Sequence, residues 1–159
     1  MGLDINVYRR LRKVDKPEVD EEECPIEDDK YWRPGESMKW SESIWKGKGS
    51  PLEWDSFYTY DERFDFRAGS YSGYNLWRDL LDEFKGDVAF QELIDFADNE
   101  GVIGSVLSKK LRDDFYRHTD EAVTYAKTLG DYGDYFINNY NSFKKAFKMA
   151  SDDGAVEFC

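Results

Sequence analysis

The chain has 159 residues, of which 40% are hydrophobic and 17% aromatic, a composition typical of a folded domain and not of a disordered segment. Its 34 acidic and 22 basic residues give a net charge of −12, which disfavours direct binding to a nucleic-acid backbone. Because no apolar run reaches the ~20 residues of a membrane helix and the N-terminus lacks a signal-peptide core, we expect one cytoplasmic domain without membrane contact.

The first part of the chain, residues 1–65, is predicted to contain strands and long loops. Apolar and polar residues alternate over 3–14, which indicates an opening strand. Residues 15–62 hold all four prolines and four of the five tryptophans, without a sustained helical period. Within them, residues 15–29 are rich in Asp and Glu and predict a solvated acidic loop.

Three further strands are predicted before the helical part begins. The spacing of apolar residues indicates strands at 38–45 and 54–60. Phe64, Phe66 and Ala68 then alternate with polar residues, which predicts a strand that runs directly into the following helix.

The second part of the chain, residues 66–150, is predicted to be mainly helical. Apolar residues recur there at intervals of three and four, the period of an amphipathic helix. The predicted helices span 73–85, 90–95, 105–117, 120–129 and 131–150. Residues 155–159 read as a last strand that pairs with the first.

These elements predict an α+β fold in a single domain covering residues 1–159. The first half and the C-terminal strand would form a small, mostly antiparallel sheet. The helices of the second half would pack on one face of that sheet.

The turn between the strand and the helix near residue 70 is the first candidate ligand site. A helix N-terminus offers unpaired N–H groups and a partial positive charge to an anion. The arginine can bind an anion through two hydrogen bonds, the glycines permit close approach, the hydroxyls donate, and the tyrosines can stack on a flat ring. The candidate residues are Arg67, Gly69, Ser70, Tyr71, Ser72, Gly73, Tyr74 and Asn75.

A purely structural role for the same turn is the alternative. Ser72 would then cap the helix, Gly69 would make the turn, and Arg67 would meet a local carboxylate while the tyrosines pack. The segment matches neither a phosphate-binding loop nor a dinucleotide fingerprint. The sequence leaves both interpretations open.

A second candidate lies in the polar segment 98–104, ahead of a predicted helix. Asn99 and Glu100 can hydrogen-bond a base or a ribose, or can join the carboxylates of residues 152–157 around a divalent metal. The alternative is that Asn99 caps the helix and Gly101 makes a turn, and we favour it over a metal site. No catalytic residue, metal or cofactor is predicted.

Several segments together resemble a family of small, uncharacterised bacteriophage and prophage proteins. They are MGLDI at residues 1–5, FRAGSYSGYN at 66–75, DNEGVIG at 98–104, FKMA at 147–150 and DGAVEF at 153–158. The resemblance covers nearly the whole chain and is weakest over 15–29. It implies a phage context, in which small acidic proteins often counter host defence, but it names no activity.

Three hypotheses for the function follow from these observations. The first is a phage accessory protein that binds and sequesters a small phosphate-bearing, nucleotide-derived host molecule. The alternative is an acidic, DNA-mimicking inhibitor that binds a host defence protein or a nucleic-acid enzyme. The third is a small hydrolase that acts on a nucleotide-like ligand, which we regard as less favoured because no nucleophile–base pair stands out. A homo-oligomer is compatible with each.

Overall fold

The computed structural model describes residues 2–96 and 101–159, which form an α+β fold built on two antiparallel sheets. The main sheet has the strand order β5 (Glu62–Ser70), β1 (Gly2–Arg9), β7 (Ala155–Phe158) and β6 (Gly101–Gly104). Strand β1 pairs with both β5 and β7. The predicted pairing of the last strand with the first is therefore confirmed.

The second sheet contains three short strands in the order β2 (Arg12–Val14), β4 (Phe57–Thr59) and β3 (Tyr31–Trp32). The single strand predicted over residues 3–14 is therefore two strands, β1 in the main sheet and β2 in the second sheet. The chain turns between these strands at Arg10, which has a φ of 53°, a value that interrupts extended backbone. The strand predicted at 54–60 is confirmed at its centre by β4.

Helix α1 (Gly35–Ile44) occupies the region where the sequence predicted a strand at 38–45, so that prediction is wrong. The apolar residues seemed to alternate, yet the residues that the helix buries, Met38 and Ser41, are three apart. Trp40 lies between them in sequence and is exposed. The helical period of burial was hidden by an exposed tryptophan.

The helices after β5 follow the predicted order closely. Helix α4 matches the predicted span, and α2 begins two residues earlier than predicted. Within the described residues, none of the helices has both the length and the apolar composition needed to span a membrane. The bounds are α2 (Tyr71–Lys85), α3 (Gln91–Ile94), α4 (Ser105–Arg117), α5 (Thr119–Ala126) and α6 (Gly133–Ala150).

The main core lies between one face of the main sheet and helices α2, α4 and α6. At its centre the rings of Trp77 and Phe143 stack with centroids 4.9 Å apart, and both side chains are fully buried. The indole Nε1 of Trp77 donates a hydrogen bond to the carbonyl of Phe136 at 3.1 Å, so this buried donor is satisfied. A smaller core, which includes Trp32 and Met38, covers part of the opposite face.

Candidate functional site

The predicted anion turn begins at Arg67, whose guanidinium is bound by Asp4 of the neighbouring strand β1. Nε and Nη2 of Arg67 donate to the two carboxylate oxygens of Asp4 at 2.8 and 2.9 Å. The guanidinium lowers the pKa of the Asp4 carboxyl through these hydrogen bonds, and the carboxylate raises the pKa of Arg67. Because the pair has no net charge, it attracts an anion only weakly.

The hydroxyl groups of the turn interact with the helix itself. Ser70 is the N-cap of α2, and its Oγ accepts a hydrogen bond from the N–H of Gly73 at 3.0 Å. The hydroxyl of Ser72 lies 3.2 Å from that of Ser70. The sequence predicted a cap at Ser72, two residues too late. The cap uses one of the N–H groups that a ligand would otherwise need.

The glycines of the turn make room for a tyrosine of α6. Gly69 has a φ of 125°, and a Cβ placed on it would lie 2.5 Å from Oη of Tyr135. That hydroxyl donates to the carbonyl of Ala68 at 2.6 Å, and Nδ2 of Asn139 donates to the same oxygen at 2.9 Å. A Cβ on Gly73 would lie 3.3 Å from the same Tyr135 oxygen. Close approach at this turn is therefore made by Tyr135.

The remaining residues of the turn point in different directions. Tyr74 is fully buried and its ring stacks on that of Trp77, so it has no surface on which a ligand could stack. Tyr71 and Asn75 are half-buried on the first two turns of α2. The structure thus separates Tyr74 from the exposed Arg67, although the sequence placed them in one candidate site.

The second predicted segment lies partly outside the described residues. Asn99 and Glu100 belong to the part of the chain, residues 97–100, that the structure does not describe. Gly101, predicted to form a turn, is instead the first residue of β6 and pairs with Phe158. Because β7 ends beside the start of β1, β6 begins at the same end of the main sheet as the Asp4–Arg67 pair.

Glu157, one of the carboxylates considered for the less favoured metal site, has a structural role. Its carboxylate accepts hydrogen bonds from Nδ2 of Asn6 at 3.0 Å and from Nε1 of Trp32 at 2.8 Å. Burial raises the pKa of this carboxyl, while the two donors act in the opposite direction. These bonds link the main sheet to β3. Among residues 2–96 and 101–159, the acidic, histidine and cysteine side chains form no cluster able to hold a metal ion.

A cationic cleft, which the sequence analysis missed, lies where α4 and α6 meet the ends of β1 and β5. Its volume is about 570 Å³, within the usual range of ligand pockets. Four of the side chains that line it are basic and two are acidic. The lining residues are Arg9, Glu62, Arg112, Lys145, Lys148, Met149, Ser151 and Asp152.

The two lysines of the cationic cleft lie against aromatic rings and form no ion pair with any carboxylate that the structure describes. Nζ of Lys145 lies 4.5 Å from the ring centroid of Phe64, and Nζ of Lys148 lies 5.8 Å from that of Tyr116. Arg112 adds a guanidinium whose Nε donates to Oδ1 of Asp113 at 3.0 Å and whose Nη1 donates to Oγ of Ser151 at 3.2 Å. The lysine charges are therefore available to an anion.

The two acidic residues of the cationic cleft are both bound by Arg9. Nη1 of Arg9 donates to Glu62 at 2.6 Å, and its Nε donates to Asp152 at 2.8 Å. Arg10 also donates to Asp152, at 3.1 Å. Arg9 and Arg10 offset both carboxylates and Asp113 offsets Arg112, so the charges of Lys145 and Lys148 dominate the cleft.

A weak signal for this cleft was present in the sequence. Lys145 and Lys148 are three residues apart, which places them on one face of a helix. The apolar period is the dominant pattern of residues 131–150, and a net charge of −12 does not indicate a local basic group. The position of Arg112 beside them depends on the packing of α4 against α6, which the spacing of residues does not reveal.

The acidic segment 15–29 is mostly exposed, as predicted. Its backbone is ordered by an isolated bridge between Val19 and Pro25, and by Asp20, whose carboxylate accepts from two backbone N–H groups. Lys16 and Lys30 each bind one glutamate of the segment. Many of its carboxylates face solvent.

Comparison with known proteins identifies no relative of this chain. No protein-family model, curated protein or solved structure matches it. The function must therefore be inferred from the geometry of the site.

Proposed function

We propose that the protein binds a small phosphate-bearing, nucleotide-derived molecule in the cationic cleft and holds it without converting it. The observation that carries this proposal is the pair of lysines, Lys145 and Lys148, that line one cleft of an acidic protein beside Arg112, whose guanidinium is paired with Asp113. The two lysines form no ion pair with the carboxylates that the structure describes.

The chemistry of a phosphate suits this arrangement. A phosphate ester presents several oxygens that accept charge-assisted hydrogen bonds, which are stronger than those between neutral groups. Each lysine ammonium group can donate such bonds in any direction, and Arg112 keeps N–H groups beyond those that bind Asp113 and Ser151. The hydroxyl of Ser151 donates to the carbonyl of Lys148 at 2.6 Å and accepts from Nη1 of Arg112 at 3.2 Å, so it holds the guanidinium in place. Each group needed to hold a phosphate is present on the walls of the cleft.

The resemblance to phage proteins suggests a biological role for such binding. Capture of a host signalling nucleotide would blunt a defence response without any chemical step. It requires affinity and abundance, and no nucleophile or general base. We propose this role as the reason for a binding site on an otherwise acidic surface.

Calorimetry with adenosine 5′-monophosphate at low ionic strength tests the proposal. Lys148→Ala should weaken binding by at least about fivefold, because it removes one charge-assisted contact. Lys109→Ala is the matched control, since this lysine is exposed on α4 and does not line the cleft. Equal effects of the two variants would indicate a nonspecific charge effect and would refute the cleft as the site.

The Arg67 turn provides a second comparison. Arg67→Ala should leave the affinity for the nucleotide unchanged, because the guanidinium is bound by Asp4 and does not line the cleft. If Arg67→Ala loses binding while Lys148→Ala does not, the ligand binds at the Arg67 turn and not in the cationic cleft.

Chromatography of the ligand recovered after incubation separates capture from hydrolysis. We expect the nucleotide to be recovered intact over a time much longer than that of binding. A product that accumulates with time, and that disappears in Lys148→Ala, would instead support the hydrolase hypothesis.

An acidic inhibitor of a nucleic-acid enzyme is the second candidate function, favoured by the exposure and order of segment 15–29. Its carboxylates would occupy a basic, DNA-binding surface of the partner. A variant with Glu21, Glu22 and Glu27 changed to Gln should lose inhibition of a restriction or recombination enzyme, while its nucleotide binding stays intact. Absence of inhibition by the wild-type protein across such enzymes would remove this candidate.

A further inference from the structure

We infer that Glu62 and Asp152 make the cationic cleft selective for phosphate esters that carry neighbouring hydroxyl groups, as a ribonucleotide does. This inference rests on the proposed function and adds a specificity to it. The cations would hold the phosphate, and the two carboxylates would bind the hydroxyls of the sugar. Carboxylates recognise ribose hydroxyls in this way at dinucleotide sites.

The two carboxylates are held in place from one side by a single arginine. Arg9, the last residue of β1, donates from Nη1 to Oε1 of Glu62 and from Nε to Oδ2 of Asp152. The bridge joins the start of β5 to the turn after α6, so both acids are fixed before a ligand arrives. Preorganisation of this kind lowers the entropic cost of binding.

Each carboxylate retains an oxygen for a ligand. Arg9 contacts Oε1 of Glu62, and Oε2 of the same group makes no hydrogen bond to a residue that the structure describes. Both Arg9 and Arg10 contact Oδ2 of Asp152. Oδ1 of the same group makes no hydrogen bond to a residue that the structure describes. A hydroxyl group donates to such an oxygen, and a fully ionised phosphate ester has no hydrogen to donate, so these atoms favour hydroxyls and repel a second phosphate.

The lysines and the carboxylates of the cleft lie on different segments of the chain. The cations Lys145 and Lys148 lie on α6, while Glu62 lies at the start of β5. Asp152 follows α6 and joins the two walls through Arg9. An ester that carries both a phosphate and hydroxyl groups can contact the lysines and the carboxylates. Inorganic phosphate would contact the lysines alone.

Three probes test the inference by calorimetry, namely adenosine 5′-monophosphate, its 2′,3′-dideoxy analogue and inorganic phosphate. The ribonucleotide should bind about tenfold more tightly than the dideoxy analogue, the effect of a hydrogen bond to a charged group. Equal affinities for the two nucleotides would overturn the inference. Failure of all three probes to bind would overturn the proposed function as well.

The Glu62→Gln variant tests whether Glu62 provides the preference for the ribonucleotide over its dideoxy analogue. The variant should bind the ribonucleotide and the dideoxy analogue almost equally, because the amide presents a weaker acceptor to the hydroxyls. Its affinity for inorganic phosphate should stay the same or rise, since Arg9 loses one of its carboxylate partners. These opposite effects cannot come from a general loss of structure.

Asp65→Asn is the matched control for Glu62→Gln. Asp65 is an exposed acid on the same strand that does not line the cleft. The control should keep the wild-type preference for the ribonucleotide. If Glu62→Gln also keeps that preference, Glu62 does not read the hydroxyls and the inference fails.

Discussion

Replacement of Gly69 by alanine tests whether the conspicuous turn serves folding or a ligand. The change places a Cβ on a residue whose φ is 125° and 2.5 Å from Oη of Tyr135. The backbone conformation alone costs a side-chain-bearing residue about 1–3 kcal/mol. Displacement of the Tyr135 hydroxyl adds about 1 kcal/mol for its hydrogen bond to Ala68. We therefore expect Gly69→Ala to lower the free energy of unfolding by about 2–4 kcal/mol.

Two further variants separate these contributions. Tyr135→Phe removes the clashing oxygen and should cost about 1 kcal/mol or less, because Asn139 still donates to the Ala68 carbonyl. In the Tyr135→Phe background, Gly69→Ala should lower the free energy of unfolding only by the cost of the backbone conformation. Gly47→Ala isolates the same kind of contribution, since Gly47 has a φ of 89° and open space where its Cβ would lie.

Urea unfolding followed by tryptophan fluorescence measures all four variants. The coupling between Gly69→Ala and Tyr135→Phe should be about 1 kcal/mol, and a loss near 3 kcal/mol should lower Tm by about 6–12 °C in a chain of this size. A Gly69→Ala loss below about 1 kcal/mol, or equal losses in both backgrounds, would refute the reasoning. Intact stability with impaired nucleotide binding would indicate that the glycine serves a ligand.

Three other properties of the fold lead to measurable outcomes. Phe143→Ala should destabilise the protein by about 3–5 kcal/mol in denaturant, because it opens a cavity beside Trp77; a loss below about 1 kcal/mol would contradict the buried stack. Burial raises the pKa of Glu157, so the folded state binds its proton more readily. The stability of the wild type relative to Glu157→Gln should therefore fall as pH rises above the ordinary pKa of a glutamate, about 4.3. The opposite trend would contradict the burial of this carboxyl. In a Cys24→Ala variant, alkylation of Cys159 should accelerate up to about pH 11, since burial raises the pKa of that thiol to about 11; a plateau near pH 9 would exclude this.

The sequence was sufficient to predict those parts of the fold in which burial repeats with a regular period. Residues 105–117 and the C-terminal strand were found with nearly correct bounds because their apolar residues keep one period throughout. The region 38–45 failed because exposed Trp40 resembles a core residue in sequence. The break at Arg10 could not be predicted, since a positive φ at arginine depends on contacts made after folding.

The candidate site was harder to predict than the fold. The turn around Gly69 had the residue types of an anion site, but its glycines are explained by Tyr135, a residue 66 positions later in the chain. No local pattern carries that information. The cationic cleft depends in the same way on distant segments, since Arg9, Arg112 and Lys148 meet only through the packing of the sheet and two helices.

The position of the cationic cleft favours a rigid binding site over one that closes on its ligand. It lies where β1 ends and where α6 leads into β7. Backbone hydrogen bonds join these elements, from Arg10 N–H to the Asp152 carbonyl and from Leu11 N–H to the Asp153 carbonyl. Gly154 N–H also donates to the carbonyl of Ala150. Because the walls are fixed by the same strands that join both ends of the described chain, a ligand would gain affinity from contacts already in place.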